Sequence, residues 1–116
     1  MIMKTDNASG LANLKCKPCT AATPPLSQDR INTLLKQLDG WVQHGQVIGK
    51  TFDFTNYHQA MSFVNAVAWV SNQEDHHPEL TVSYNKCKVE YTTHSVNGLS
   101  ENDFICAAKV DALLKV

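Results

Sequence analysis

The sequence predicts an α+β domain, with three helices packed on one face of a four-stranded antiparallel sheet. Three observations lead there. Two pairs of alternating apolar and polar segments are each joined by a short polar turn, the pattern of hairpins. Capped helical segments precede, separate and follow those pairs, giving the order α-β-β-α-β-β-α. The chain has 116 residues, which suits one domain with a core of its own. Apolar residues are 43% and charged residues 18%, which excludes a wholly disordered or fibrous chain. Ten basic and eleven acidic residues give a net charge of −1 with no basic cluster, against a nucleic-acid binder driven by phosphate contacts. No apolar run reaches membrane-crossing length and no signal peptide opens the chain, so a cytoplasmic protein is expected.

The elements follow in order. Residues 1–26 lack a sustained period, are rich in Asn, Ala, Thr, Lys and Pro, and end at Pro24-Pro25. They read as a flexible, dispensable N-terminal tail, leaving residues 27–116 as the domain. Ser27 caps a helix over about 28–38, with Ile31, Leu34, Leu35 and Leu38 on one stripe and Gly40 as its stop. Trp41 to Phe54 reads as the first hairpin, turning at His44-Gly45-Gln46. Ile48, Phe52 and Phe54 share one face, with Lys50 the odd member. Thr55 or Asn56 caps a second helix to about Gln73. Nine of the eleven residues from Ala60 to Val70 are apolar, so this helix needs cover on more than one side, from the sheet and from a second subunit. Leu80, Val82 and Tyr84 alternate inward, Asn85-Lys86 is the expected turn, and Val89, Tyr91 and Thr93 alternate back. Ser100 to Asp103 forms a capping box that opens a third helix, with Ile105, Ala108, Ala112 and Leu113 on its apolar face.

Two residue types carry the chemistry. Of four cysteines, only Cys16-Lys17-Pro18-Cys19 is a close pair. It has no partner pair for a structural zinc site and no strand-to-helix context for a thioredoxin-type motif, so it reads as incidental to the tail. Cys87 and Cys106 lie in periodic segments and are expected to pack as small buried hydrophobes. Of five histidines, His76, His77 and His94 gather at the open end of the second hairpin. Imidazole offers both protonation states near neutral pH, so several in one cleft can serve as base and acid. Pro78 stiffens the loop that presents His76 and His77. There is neither His-x-His nor His-Glu-x-x-His, so no metal is expected.

The run Glu74-Asp75-His76-His77-Pro78-Glu79-Leu80 contains a His-His-Pro set, with five residues between Pro78 and Tyr84, nine between Tyr84 and His94, and eight between His94 and Asp103. This set resembles the signature of the pterin-4a-carbinolamine dehydratases. The likeness extends over about residues 27–115, through Gly40-Trp41, Phe52-x-Phe54 and Gly98-Leu99-Ser100. It departs at Asn72, where the family usually has a charged residue, and at Leu80, where mammalian members have Trp.

The resemblance implies loss of water from a 4a-hydroxytetrahydropterin to give a quinonoid dihydropterin, as part of tetrahydropterin recycling. It implies His76, His77 and His94 as the catalytic set, and Asp75, Pro78, Thr93 and Ser95 as flanking candidates for pterin contact. Asp103 is expected to cap the last helix and orient a histidine, and Tyr84 to be core. No metal or organic cofactor is implied. Expected partners are the pterin substrate, a second copy in a homodimer or homotetramer, and a functional link to an aromatic amino-acid hydroxylase. An alternative reading is a protein-interaction module, because mammalian relatives also act as dimerisation cofactors of a transcription factor.

Overall fold

The computed structural model describes residues 9–115. Its elements are α1 (Ser9–Ala12), α2 (Gln28–Leu35), β1 (Val42–His44), β2 (Val47–Asp53), α3 (Tyr57–Glu74), β3 (Glu79–Val82), β4 (Lys86–Tyr91) and α4 (Glu101–Ala112), with a 3-10 turn at His94–Val96 before α4. The strands form one antiparallel sheet in the order β1-β2-β4-β3. Residues 1–8, the first part of the expected tail, lie outside the described residues.

One face of the sheet is apolar because the strand period is two. Ile48 pairs with Tyr91 and Phe52 with Cys87, and all four are buried against the helices. The opposite face carries Thr51, Asp53, Lys86, Lys88 and Glu90. Lys50 belongs by register to the apolar face. Its ammonium escapes the core by donating to the Asp39 carbonyl (2.7 Å) and the Asp111 carboxylate (3.0 Å). Asp111 also accepts from the indole of Trp41 (3.1 Å), whose ring packs edge-on to Phe52. An inward lysine is thus given a carboxylate partner that α4 supplies.

The caps act where the sequence places them. Ser27 accepts from the Arg30 N–H (3.2 Å), and Asn56 from the Gln59 N–H (2.9 Å). Helix α2 stops at Leu35, and residues 36–38 continue as tight turns to Gly40, which has φ +83°. The first hairpin turns at Gly45-Gln46, with Gly45 at φ +60°.

The second hairpin corrects one expectation. Leu80 pairs with Val89 and Val82 with Cys87, which puts Tyr84-Asn85 at the turn instead of Asn85-Lys86. Moving the turn by one residue shifts the pairing by two, so every side chain keeps its face. Tyr84, however, leaves the strand and is 66% exposed, not core.

Helix α4 is also more deeply buried than one apolar stripe requires. Phe104, Cys106, Ala107 and Val110 are covered as fully as Ile105, while Ala112 is exposed. The extra cover comes from the N-terminal segment, read in sequence as a flexible tail, whose described part packs on α4. Leu11 is buried in the core, and Lys109 donates to the Ala12 carbonyl (2.8 Å). The Asn102 side chain accepts from the Lys17 N–H (2.9 Å) and donates to the Lys17 carbonyl (2.7 Å). Glu74, at the end of α3, accepts from the Cys16 N–H (2.8 Å) and lies 3.8 Å from the Lys109 ammonium.

Burial acts to raise the Glu74 pKa. The Cys16 N–H, Lys109 and Lys15 outweigh it and hold the carboxyl below its usual 4.5. A depressed folded-state pKa means stability present above the unfolded value and lost as pH falls through the folded one. Glu74→Gln is therefore expected to lower the denaturant midpoint at pH 7, and the gap to wild type should narrow below about pH 4.5. An equal gap at pH 7 and pH 3 would contradict the ionic anchoring.

Candidate active site

Three chain segments meet beside the open end of the second hairpin. The first is the end of α3. Its last turn closes on Asp75, a left-handed residue (φ 51°), with the N–H groups of Asp75 and His76 both returning to the Ser71 carbonyl. Aspartate tolerates this conformation better than most residues, and the turn reverses the chain so that His76 points back under the sheet. The second segment follows β4. Thr93 pairs with Gly98 as an isolated bridge, which closes the loop holding His94–Val96 and the left-handed Asn97. The third is the N-terminus of α4.

Asp103 joins all three. Its carboxylate is fully buried. Oδ1 lies 2.6 Å from His76 Nε2. Oδ2 accepts from the Thr93 hydroxyl (2.8 Å) and from the Ser100 N–H (2.9 Å), the latter being one arm of the capping box. The Thr93 proton is thereby committed, so the Ser100 hydroxyl donates to Thr93 Oγ1 (2.8 Å). A carboxylate only accepts, so Nε2 is the donor in this contact and Nδ1 is the ring nitrogen that Asp103 does not engage. The His76 ring is further fixed by stacking on Tyr91, with centroids 5.7 Å apart and planes at 9°. Burial pushes the Tyr91 phenol well above its usual range, so it remains a neutral, rigid platform.

Above this network lies a cleft of about 360 Å³, within the usual range for a small-molecule site. Its lining includes His76, Asp75, Thr93 and Ser95, together with Cys16 and Cys19 of the N-terminal segment. Asp103 sits beneath it, acting through His76 and Thr93. The structure thus brings together His76, Asp75, Thr93, Ser95 and Asp103. It does not bring the other predicted residues into the same wall. His77 is exposed, 3.4 Å from the Asn72 side chain, and His94 is exposed at the start of the 3-10 turn. Pro78 is half-buried at the entry to β3. Among the described residues, no group of three His, Cys, Asp or Glu side chains is placed to hold a metal ion. The wall formed by residues 16–19 was invisible to periodicity, since it is fixed by backbone contacts to Asn102 and Glu74.

Removal of Asp103 would strand three donors in a buried place. Asp103→Ala is expected to destabilise the fold by about 2–4 kcal/mol, since unpaired buried polar groups each cost about 1–3 kcal/mol. Chemical denaturation measures this, and an unchanged midpoint would contradict the assigned role.

A profile described as pterin 4 alpha carbinolamine dehydratase matches residues 24–113. A relative from Nitrosospira multiformis, provisionally named a pterin-4-alpha-carbinolamine dehydratase, is 63% identical over 106 residues, covering 91% of this chain and 94% of its own. One from Dechloromonas aromatica with the same provisional name is 50% identical, over 91% of this chain and 95% of its own. A crystal structure from Brucella melitensis, described as a transcriptional coactivator/pterin dehydratase, has a TM-score of 0.72 and 35% identity, over 77% of this chain and 97% of its own. A pterin dehydratase-like protein described as a RuBisCO assembly factor of the alpha-carboxysome has a TM-score of 0.58 and 25% identity, over 66% and 92%. On these matches the chain belongs to the pterin 4 alpha carbinolamine dehydratase family.

Proposed function

We propose that the protein removes water from a 4a-hydroxytetrahydropterin by histidine acid–base catalysis in the cleft above Asp103. The observation that supports this most is His76: it lines the cleft, and its Nε2 contacts a buried carboxylate, so that Nδ1 is the ring nitrogen outside that contact. The reaction takes a proton from N5 of the pterin and delivers one to the hydroxyl leaving C4a. A neutral imidazole suits the first step and an imidazolium the second. His94 sits between two lining residues, Thr93 and Ser95, and His77 directly follows His76. In this reading both act from outside the cleft wall, at its edge, to complete the proton-transfer set. Asp75, Pro78, Thr93 and Ser95 are the proposed pterin contacts. The reaction itself draws on no metal or organic cofactor. In this reading residues 27–116 are the catalytic domain, residues 1–26 are an N-terminal extension, and the protein works in the cytoplasm on the product of an aromatic amino-acid hydroxylase.

The test is the dehydration rate of enzymatically generated 4a-carbinolamine. His76→Ala, His77→Ala and His94→Ala are each expected to lower it by about 10–10⁴-fold, the span of lost proton-transfer groups. His76→Ala/His94→Ala is expected to cost less than the product of the singles. His44→Ala and His58→Ala, both exposed and away from the cleft, are expected to be near neutral. Full activity in all three cluster variants would refute the proposal.

A second reading concerns partners. Trp69 on the outer side of α3 is 63% exposed, beside exposed Ala68. An exposed tryptophan on an apolar helix suits a contact surface. We propose that α3 mediates a homodimer or homotetramer; a protein-interaction module is the alternative use of the same face. A dimer or tetramer in sedimentation at micromolar concentration, lost in Trp69→Glu, is the expected result. A wild-type monomer under those conditions would contradict self-association.

A further inference from the structure

The Cys16-Lys17-Pro18-Cys19 segment stands against α4, and its first thiol meets a third cysteine. Cys16 Sγ lies 3.5 Å from Cys106 Sγ, which comes from a position 90 residues away in sequence. Both are free thiols. Cys16 is half-buried and lines the cleft, whereas Cys106 is fully buried in α4. Cys19 is held apart by Asn102: the Asn102 amide donates to Cys19 Sγ (3.4 Å), and Cys16 Sγ approaches the Asn102 carbonyl (3.7 Å).

We propose that Cys16 and Cys106 are a modification site, an oxidisable thiol pair that closes to a reversible disulfide when a small peroxide enters the cleft. Two thiols in contact can share a weak hydrogen bond and do nothing else. Here one of them opens to a cleft, and the other is fully buried but in contact with the first, which sets an order of events. Cys16 sulfur attacks one peroxide oxygen, breaking the O–O bond and giving a sulfenic acid and water. Cys106 sulfur then attacks the Cys16 sulfur, the S–O bond breaks, and a second water leaves with the Cys106 proton. The pair loses two electrons and hydrogen peroxide gains them. A dithiol reductant reverses the bond by exchange. The hydrogen bond with Cys16 and then burial push the Cys106 thiol far up, so Cys106 reacts second, giving its proton to the departing hydroxyl as the S–S bond forms. The product would staple the N-terminal wall of the cleft to α4. This inference is independent of the dehydratase reading.

The experiment treats the full-length protein with hydrogen peroxide under non-reducing conditions, followed by thiol counting and peptide mapping. Two of the four thiols should disappear in a Cys16–Cys106 link that dithiothreitol reverses. Cys87, fully buried on β4, should remain free. Cys19→Ser should still form the link and Cys16→Ser should not; Cys16 is only half-buried, so Cys16→Ser is expected to fold even if a Cys106 variant does not. The oxidised protein should melt several degrees above the reduced one, as a cross-link closing a long loop predicts. A Cys16–Cys19 link, a link between two chains, oxidation of Cys16 without a cross-link, or no reaction would each overturn the proposal.

Discussion

The buried carboxylate of Asp103 is the contact on which the rest of this structure depends. It starts α4 through the Ser100 N–H, fixes the end of β4 through Thr93, and fixes the loop after α3 through His76. A charge with no exposure is tolerated only when its oxygens are fully used. Here each donor comes from a different stretch of chain, so satisfying the charge and assembling the cleft floor are one event. Stability and the proposed chemistry are coupled at this point. The ring most suited to proton transfer is also a member of the buried network, so a change at His76 reaches the fold as well as the rate.

The sheet and the three main helices were legible because each rests on a local pattern. Period two put Ile48, Phe52, Val89 and Tyr91 on one face, and that assignment survives the displaced turn because a two-residue shift preserves parity. Tyr84 was misread because alternation says nothing about where a strand ends. Lys50 broke the pattern in sequence, and its partner Asp111 could not be found there, being on an element folded from the far end of the chain.

The site was legible in part. His76 and Asp103 stood out by residue type and by the capping box, and their meeting follows from the fold. His77 and His94 share the loop and strand end but not the cleft wall, a distinction set by single-residue orientation. The N-terminal segment was the largest omission. Its contacts join backbone groups of Cys16 and Lys17 to the side chains of Glu74 and Asn102, and such contacts leave no periodic trace. The burial of α4 beyond one stripe, with Phe104, Cys106 and Val110 all covered, was the available sign that something else packs there.

The most direct measurement is a crystal structure of the protein with a dihydropterin bound. The account predicts the bicyclic ring in the cleft between the His76 loop and the Thr93–Ser95 turn, with His76 Nδ1 in hydrogen-bonding reach of the ring edge that carries N5 and C4a, and the His76–Asp103 contact intact. A pterin bound elsewhere, for instance beside Trp69, or a His76 ring turned away from the ligand, would contradict it.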